Sequence, residues 1–129
     1  MTQRHRVLLV EDDRDLRVLL ARHLRRSKLD IVEARDAEDA LTRLGEAICQ
    51  CGTSKFDAMI SDVRMPGVTG LYVAAELRRC AWNMPIVLIT AFGSEATHAE
   101  AARLDATMLD KPLDLDHLTT TVERLLATA

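Results

Sequence analysis

The chain has 129 residues, 48% of them hydrophobic, enough for one domain with a buried core over 1–129 and too few for a second of ordinary size. A net charge of -3 and a pI near 5.8 argue against a general nucleic-acid-binding surface, although fourteen Arg against three Lys supply fixed local positive charge. Three sparse cysteines, Cys49, Cys51 and Cys80, are the wrong number for a disulfide framework and suit a reducing cytoplasm.

Short apolar runs alternate with segments of helical period about five times, the pattern of a parallel sheet wrapped by helices. The first strand is Val7 to Val10, set between Arg4 and Arg6 and the acids Glu11, Asp12 and Asp13. Its apolar stretch is too short for a signal peptide or a membrane span, which predicts a soluble, cytoplasmic protein with no membrane partner. Asp13 sits where a helix N-cap belongs, before a stripe of Leu16, Leu19, Leu20 and Leu24. Ile31 to Ala34 reads as an edge strand. Asp36 then caps a second helix whose stripe is Ala37, Ala40, Leu41, Leu44 and Ile48.

Cys49 to Lys55 is a polar connection; Cys49 and Cys51 have the look of half a metal site, but no second Cys or His pair at ligand spacing completes it, and they read as ordinary thiols. The third and fourth strands, Ala58 to Ser61 and Ile86 to Ile89, are apolar enough to be buried on both faces. Val73, Ala74 and Leu77 mark a helix between them, after Gly67 and Gly70. A fourth helix, Ser94 to Leu104, offers mainly Ala96, Ala99 and Ala102 for burial, so little area anchors it. Thr107 to Leu109 forms the last strand, and Leu115, Leu118, Val122 and Leu125 mark the last helix, with Asp114 as its cap.

In an open parallel sheet the residues that follow the strands become neighbours along one edge. Here they are Glu11 and Asp12, then Asp62, then Thr90 and Ala91, then Lys111 and Pro112. Each has an ordinary reading alone. Asp62 can start the turn at Pro66-Gly67, the acids can serve a helix dipole, Thr90 can be a plain β-branched strand residue, and Lys111 can be a solvated lysine. Together they are more specific. Carboxylates within ~4 Å repel by up to ~4 kcal/mol per pair at an effective dielectric of about 20, so gathering them requires a cation or a proton. Mg²⁺ suits so few oxygen ligands, and with it Asp62 can act as a nucleophile toward phosphorus while Lys111 and Thr90 bind phosphoryl oxygens.

Val10-Glu11-Asp12-Asp13, Asp62-Val63-Arg64-Met65-Pro66-Gly67, Leu88-Ile89-Thr90-Ala91 and Asp110-Lys111-Pro112, in that order, resemble the motifs of a bacterial response-regulator receiver domain over essentially the whole chain. The resemblance implies a flavodoxin-like α/β fold, a doubly wound (βα)5 domain with parallel strands in the order 2-1-3-4-5 and helices on both faces. It also implies that Asp62 accepts a phosphoryl group from a phosphohistidine of a sensor histidine kinase or a histidine phosphotransfer protein. Asp12 would ligate Mg²⁺ directly and Glu11 through water, with Asp62 and the backbone carbonyl of Arg64 completing the protein ligands. Thr90 would bind a phosphoryl oxygen and report its presence, Ala91 would leave room for that approach, Lys111 would pair with the phosphoryl group, and the Lys111-Pro112 bond would be cis. Such a protein is a switch and not a turnover enzyme. Its output passes to a partner or an effector domain, and the fourth helix, fifth strand and fifth helix offer a surface for phosphorylation-linked dimerisation.

Three positions depart from the family pattern. The aromatic residue usual three positions before the lysine is Met108, a flexible side chain, and Leu104-Asp105 stands where Gly-Ala is usual. Arg64 and Phe92, two positions after Asp62 and Thr90, are bulky where hydrolytic water approaches, which predicts a long-lived aspartyl phosphate. Two rival readings remain at this point. A receiver-like interaction module would work without phosphorylation, and an aspartyl-nucleophile phosphatase of the haloacid-dehalogenase type would need an acid where Arg64 stands.

Overall fold

Alternation along the strands sorts the apolar residues into two sets, and each set collects its own helices. The computed structural model describes residues 4–49, 55–65, 67–91 and 93–128. Its elements run β1 (Arg6–Val10), α1 (Arg14–Arg25), β2 (Asp30–Ala34), α2 (Ala37–Cys49), β3 (Ala58–Asp62), α3 (Gly70–Arg79), β4 (Ile86–Thr90), α4 (Glu95–Arg103), β5 (Thr107–Asp110) and α5 (Leu115–Thr128). All strand pairs are parallel and the order is β2-β1-β3-β4-β5, as expected. The sheet grows one way from β1 to β2 and the other way from β1 to β3, which opens a crevice at the carboxyl ends of β1 and β3.

Val7, Leu9, Ile60, Val87 and Ile89 pack on one face with Leu20 and Leu24 of α1 and Leu118 and Val122 of α5. Leu8, Val10, Met59, Ile86 and Leu88 pack on the other with Ala40 and Leu44 of α2, Val73 and Leu77 of α3, and Ala101 of α4. The central strands β3 and β4 are buried at every position, whereas β2, with Asp30 exposed, is an edge.

The expected caps are present. Asp13 Oδ1 accepts from the Asp15 and Leu16 amides, Asp36 Oδ1 from the Asp39 amide, and Asp114 Oδ1 from the Asp116 and His117 amides. Thr69 and Ser94 cap α3 and α4 in the same way.

Two apolar stripes need correction. On α1, Leu19 is 49% exposed, and the buried positions are Leu20, Ala21 and Leu24. On α4, Ala96, Ala99 and Ala102 face solvent and Ala101 is buried, with Thr97 and Leu104 partly buried at i-4 and i+3 from it. The inward face is therefore displaced by one residue, because helical spacing selects 97, 101 and 104 together. A buried Leu stabilises by about 1.5–3 kcal/mol and a single methyl by roughly 0.8 kcal/mol, so α4 is the least anchored helix. Its far end is held by Arg78, whose Nε donates to the Leu104 carbonyl at 2.7 Å and whose Nη1 donates to Trp82 and Met84 carbonyls at 2.8 Å.

Candidate functional site

The strands deliver their terminal residues to one edge. Asp62 is the last residue of β3 and Thr90 the last of β4, each one position later than the apolar runs alone suggested, because the ladders continue through Asp62 opposite Ile89 and Thr90 opposite Asp110. Glu11 directly follows β1, its amide donating to the Ala34 carbonyl at 3.1 Å. Lys111 directly follows β5, its amide donating to the Thr90 carbonyl at 2.8 Å.

These backbone constraints bring one carboxylate oxygen each of Glu11, Asp12 and Asp62 within 4.8 Å of one another. Glu11 and Asp62 are buried, at 4% and 7% exposure, and Asp12 is open to solvent. Asp62 is held from two sides. Its Oδ1 accepts from the Arg64 amide at 3.2 Å and its Oδ2 from Lys111 Nζ at 3.0 Å. The Ser61 hydroxyl donates to the Asp62 carbonyl at 2.9 Å. Gly70 opens α3 directly against that carbonyl, where a Cβ would overlap the oxygen.

Crowding of like charges shows in the titration of the group. Burial pushes the Glu11 carboxyl up, its hydrogen bond with Asp62 and the Asp62 charge push it further, and it reaches about 8; Lys111 pulls the other way. Burial pushes the Lys111 ammonium down, but its hydrogen bond to Asp62 and the charges of Asp62, Glu11 and Asp12 outweigh this and hold it above its ordinary value. The pocket thus keeps a proton on Glu11 near neutrality. Three oxygen donors whose negative charges crowd in this way fit a hard divalent cation such as Mg²⁺ and offer no soft ligand.

Of the other expected residues, Thr90, Ala91 and Arg64 stand at or just after the strand ends and Met108 lies within β5. Thr90 is buried on β4, Arg64 and Ala91 are exposed, and Met108 is half-buried against the α2–α4 core. The Lys111-Pro112 peptide bond is cis. Phe92, Pro66 and Cys51 lie outside the described residues.

Sequence reasoning missed several supporting groups. Arg17 donates through Nη1 to the Glu11 carbonyl at 2.9 Å and through Nε to Glu33 Oε1 at 3.2 Å. His98 Nε2 of α4 stands 3.3 Å from Asp110 Oδ1, both close over Gly93 and near the Thr90 methyl. Gly70 had a visible signal, a glycine at a helix start a few residues after a strand-end acid; the Arg17 and His98 contacts depend on side-chain reach between elements and had none.

A shallow apolar groove of about 250 Å³ runs beside Lys111, lined by Leu16, Leu19, Pro112, Leu113 and Leu115 among others. Among the described residues no helix is long and apolar enough to cross a membrane.

The sequence family described as response regulator receiver domain matches residues 7–123. The chain is 34% identical over 127 residues to the response regulator protein PilR of Pseudomonas aeruginosa, covering 98% of this chain and 26% of that protein. It is 29% identical over 125 residues to the response regulator receiver protein CpdR of Brucella abortus, covering 96% of this chain and 98% of that protein. Among solved structures it resembles the response regulator protein TrrA of Thermotoga maritima in complex with Mg(2+)-BeF, at 29% identity and a TM-score of 0.79, covering 94% of this chain and 98% of the other. The chain spans about a quarter of the length of PilR.

Proposed function

Because this chain belongs to the response regulator receiver domain family of two-component signalling, we propose that it is a phosphoacceptor switch whose acceptor is Asp62. One observation carries the reading: a buried carboxylate at the end of a central strand lies within 4.8 Å of Glu11 and Asp12 donor atoms and 3.0 Å from the Lys111 ammonium.

The donor is a phosphohistidine of a sensor histidine kinase or a histidine phosphotransfer protein. A carboxylate oxygen of Asp62 forms the new P–O bond while the P–N bond to the imidazole breaks, and the imidazole nitrogen keeps the electron pair and takes up a proton. Asp12, Asp62 and the Arg64 carbonyl, with Glu11 through water, would hold Mg²⁺, which would supply positive charge for the phosphoryl oxygens when bound. Lys111 neutralises charge on the same group, and the Thr90 hydroxyl of the neighbouring strand binds and reports it. Ala91 leaves room for that approach, and Met108 repacks beneath α4.

The chain consequently changes its own state and turns over no separate substrate. The exposed Leu19 and the apolar groove beside Lys111 support docking of a protein donor within reach of Asp62. The output passes through α4, β5 and α5 to a partner, an effector domain or a second copy, and the greater length of PilR supports an effector in at least some relatives. The setting is the cytoplasm.

Mg²⁺-dependent gain of phosphate by the wild type, lost in Asp62→Ala, tests the reading by intact mass. A folded, Mg²⁺-loaded wild type that gains no phosphate, or undiminished labelling of Asp62→Ala, would falsify it. Phosphate-independent partner binding would favour an interaction module instead, and an unchanged mass in solution after phosphorylation would remove the dimer.

A further inference from the structure

We propose that Arg17 is a positioning residue for the acidic pocket, fixing the peptide unit between Glu11 and Asp12 and with it the two carboxylates that flank that unit. The inference rests on the reading of the pocket as a cation and phosphoryl site and extends it to a residue outside the pocket.

The β1–β2 ladder ends on the Glu11 amide, which donates to Ala34. Beyond that rung the Glu11 carbonyl accepts from Arg17 Nη1 at 2.9 Å, so both sides of residue 11 are held. The arginine is itself fixed. Its side chain is 15% exposed, Nε donates to Glu33 Oε1 at 3.2 Å, and its amide donates to the Asp13 carbonyl in the first turn of α1. Glu33 is held in turn by Arg25, whose Nη2 lies 3.4 Å from Oε2 and donates to the Ile31 carbonyl at 3.0 Å. A line of contacts therefore runs from the edge strand, through Glu33 and Arg17, to the turn that carries Glu11 and Asp12. Partners that orient metal ligands commonly change affinity 10–100-fold when removed.

Charge and position act in opposite directions here, which makes the role separable. A cation near the pocket repels Mg²⁺, so loss of Arg17 through its charge alone would tighten binding; loss of positioning weakens it. The test is an NMR-monitored Mg²⁺ titration of wild type, Arg17→Ala, Arg17→Lys and Glu33→Gln, with thermal melts of each in EDTA. Arg17→Ala should weaken Mg²⁺ binding about tenfold. Arg17→Lys should recover part of the loss, and Glu33→Gln, which leaves Arg17 in place but unanchored, should show a smaller loss in the same direction.

Equal or tighter Mg²⁺ binding by Arg17→Ala, or a lowered melting temperature with unchanged affinity, overturns the proposal. Should Arg17→Ala fail to fold, a folded Glu33→Gln with wild-type affinity overturns it equally. A wild type that binds no Mg²⁺ would instead bring down the reading of the pocket.

Discussion

Lys111 Nζ lies 3.0 Å from Asp62 Oδ2, joining the end of β5 to the end of β3 across the intervening strand β4. The lysine side chain is 29% exposed and the aspartate 8%, so the ammonium meets a mostly buried carboxylate. An ammonium in that place is available to a phosphoryl group on Asp62. Lys111→Met should therefore slow labelling by a small phosphodonor by roughly 10²-fold, the scale for loss of one charge-stabilising donor. The initial rate of phosphate gain by intact mass checks this, and a rate equal to wild type would remove Lys111 from the chemistry.

Glu11 makes the metal-free protein pH-sensitive. In the unfolded chain this carboxyl titrates near 4.5, and in the fold it titrates near 8. Between those values the folded state retains a proton that the unfolded state has released, so stability falls as pH rises through this window. Urea midpoints measured in EDTA from pH 5 to 8 should decline, and Glu11→Gln should flatten the decline. Binding of a cation displaces the same proton, so apparent Mg²⁺ affinity should rise with pH by at most about tenfold per unit until it levels off near 8. An affinity independent of pH would mean that Glu11 is not coupled to the site.

Gly70 and Gly45 should respond oppositely to alanine. A Cβ at Gly70 would overlap the Asp62 carbonyl and approach Ser61 Oγ to 2.9 Å, while at Gly45 it would meet nothing within 4 Å among the described residues. Gly70→Ala should destabilise the protein by about 1–3 kcal/mol, the usual scale of overpacking. Gly45→Ala, in the interior of α2, should stabilise by about 0.5–1 kcal/mol. Urea denaturation of the two variants decides it; a neutral Gly70→Ala would show that α3 can move away from the strand end.

These cases show which features were legible in the chain. The five strands and the line of acids, hydroxyl and ammonium could be read because parallel strands align residues that sequence separates, and because Asp13, Asp36 and Asp114 mark helix starts. The faces of α1 and α4 were harder. Leucines at both 19 and 20 fit a helical stripe, and alanines occur nearly all around α4, so composition did not select Leu20 over Leu19 or Ala101 over Ala102. Long polar side chains were hardest: Arg17 reaches a carbonyl six residues back and a strand on the sheet edge, and no local period encodes that reach.

If Asp62 carries a phosphoryl group as proposed, Arg64 would govern access of water to it. Its amide is tied to Asp62 Oδ1, which fixes the backbone, while its side chain is exposed beside the site. A guanidinium there would exclude water from an aspartyl phosphate. Arg64→Ala should shorten the phosphate lifetime by roughly tenfold, ~1.4 kcal/mol of barrier. Phe92→Ala should act in the same direction. Decay curves by intact mass after removal of the donor measure both, and unchanged lifetimes would sink the shielding role.

Leu19 separates docking from chemistry. It is 49% exposed on α1 and lines the groove that also contains Lys111, although its neighbours Leu20 and Leu24 are in the core. A large apolar side chain left open in the groove beside Lys111 is suited to an apolar surface of a protein donor. Leu19→Asp places a charge in that contact while leaving Asp62, Lys111 and the carboxylate cluster unsubstituted, although Glu11 and Lys111 line the same groove. Transfer from a phosphorylated histidine phosphotransfer protein should fall at least about tenfold, as expected for loss of ~1.4 kcal/mol or more of contact energy. Labelling by a small phosphodonor, which needs no docking surface, should stay at the wild-type rate. Equal slowing with both donors would instead mean that the substitution distorts the site, and equal transfer from the protein donor would move its docking surface elsewhere.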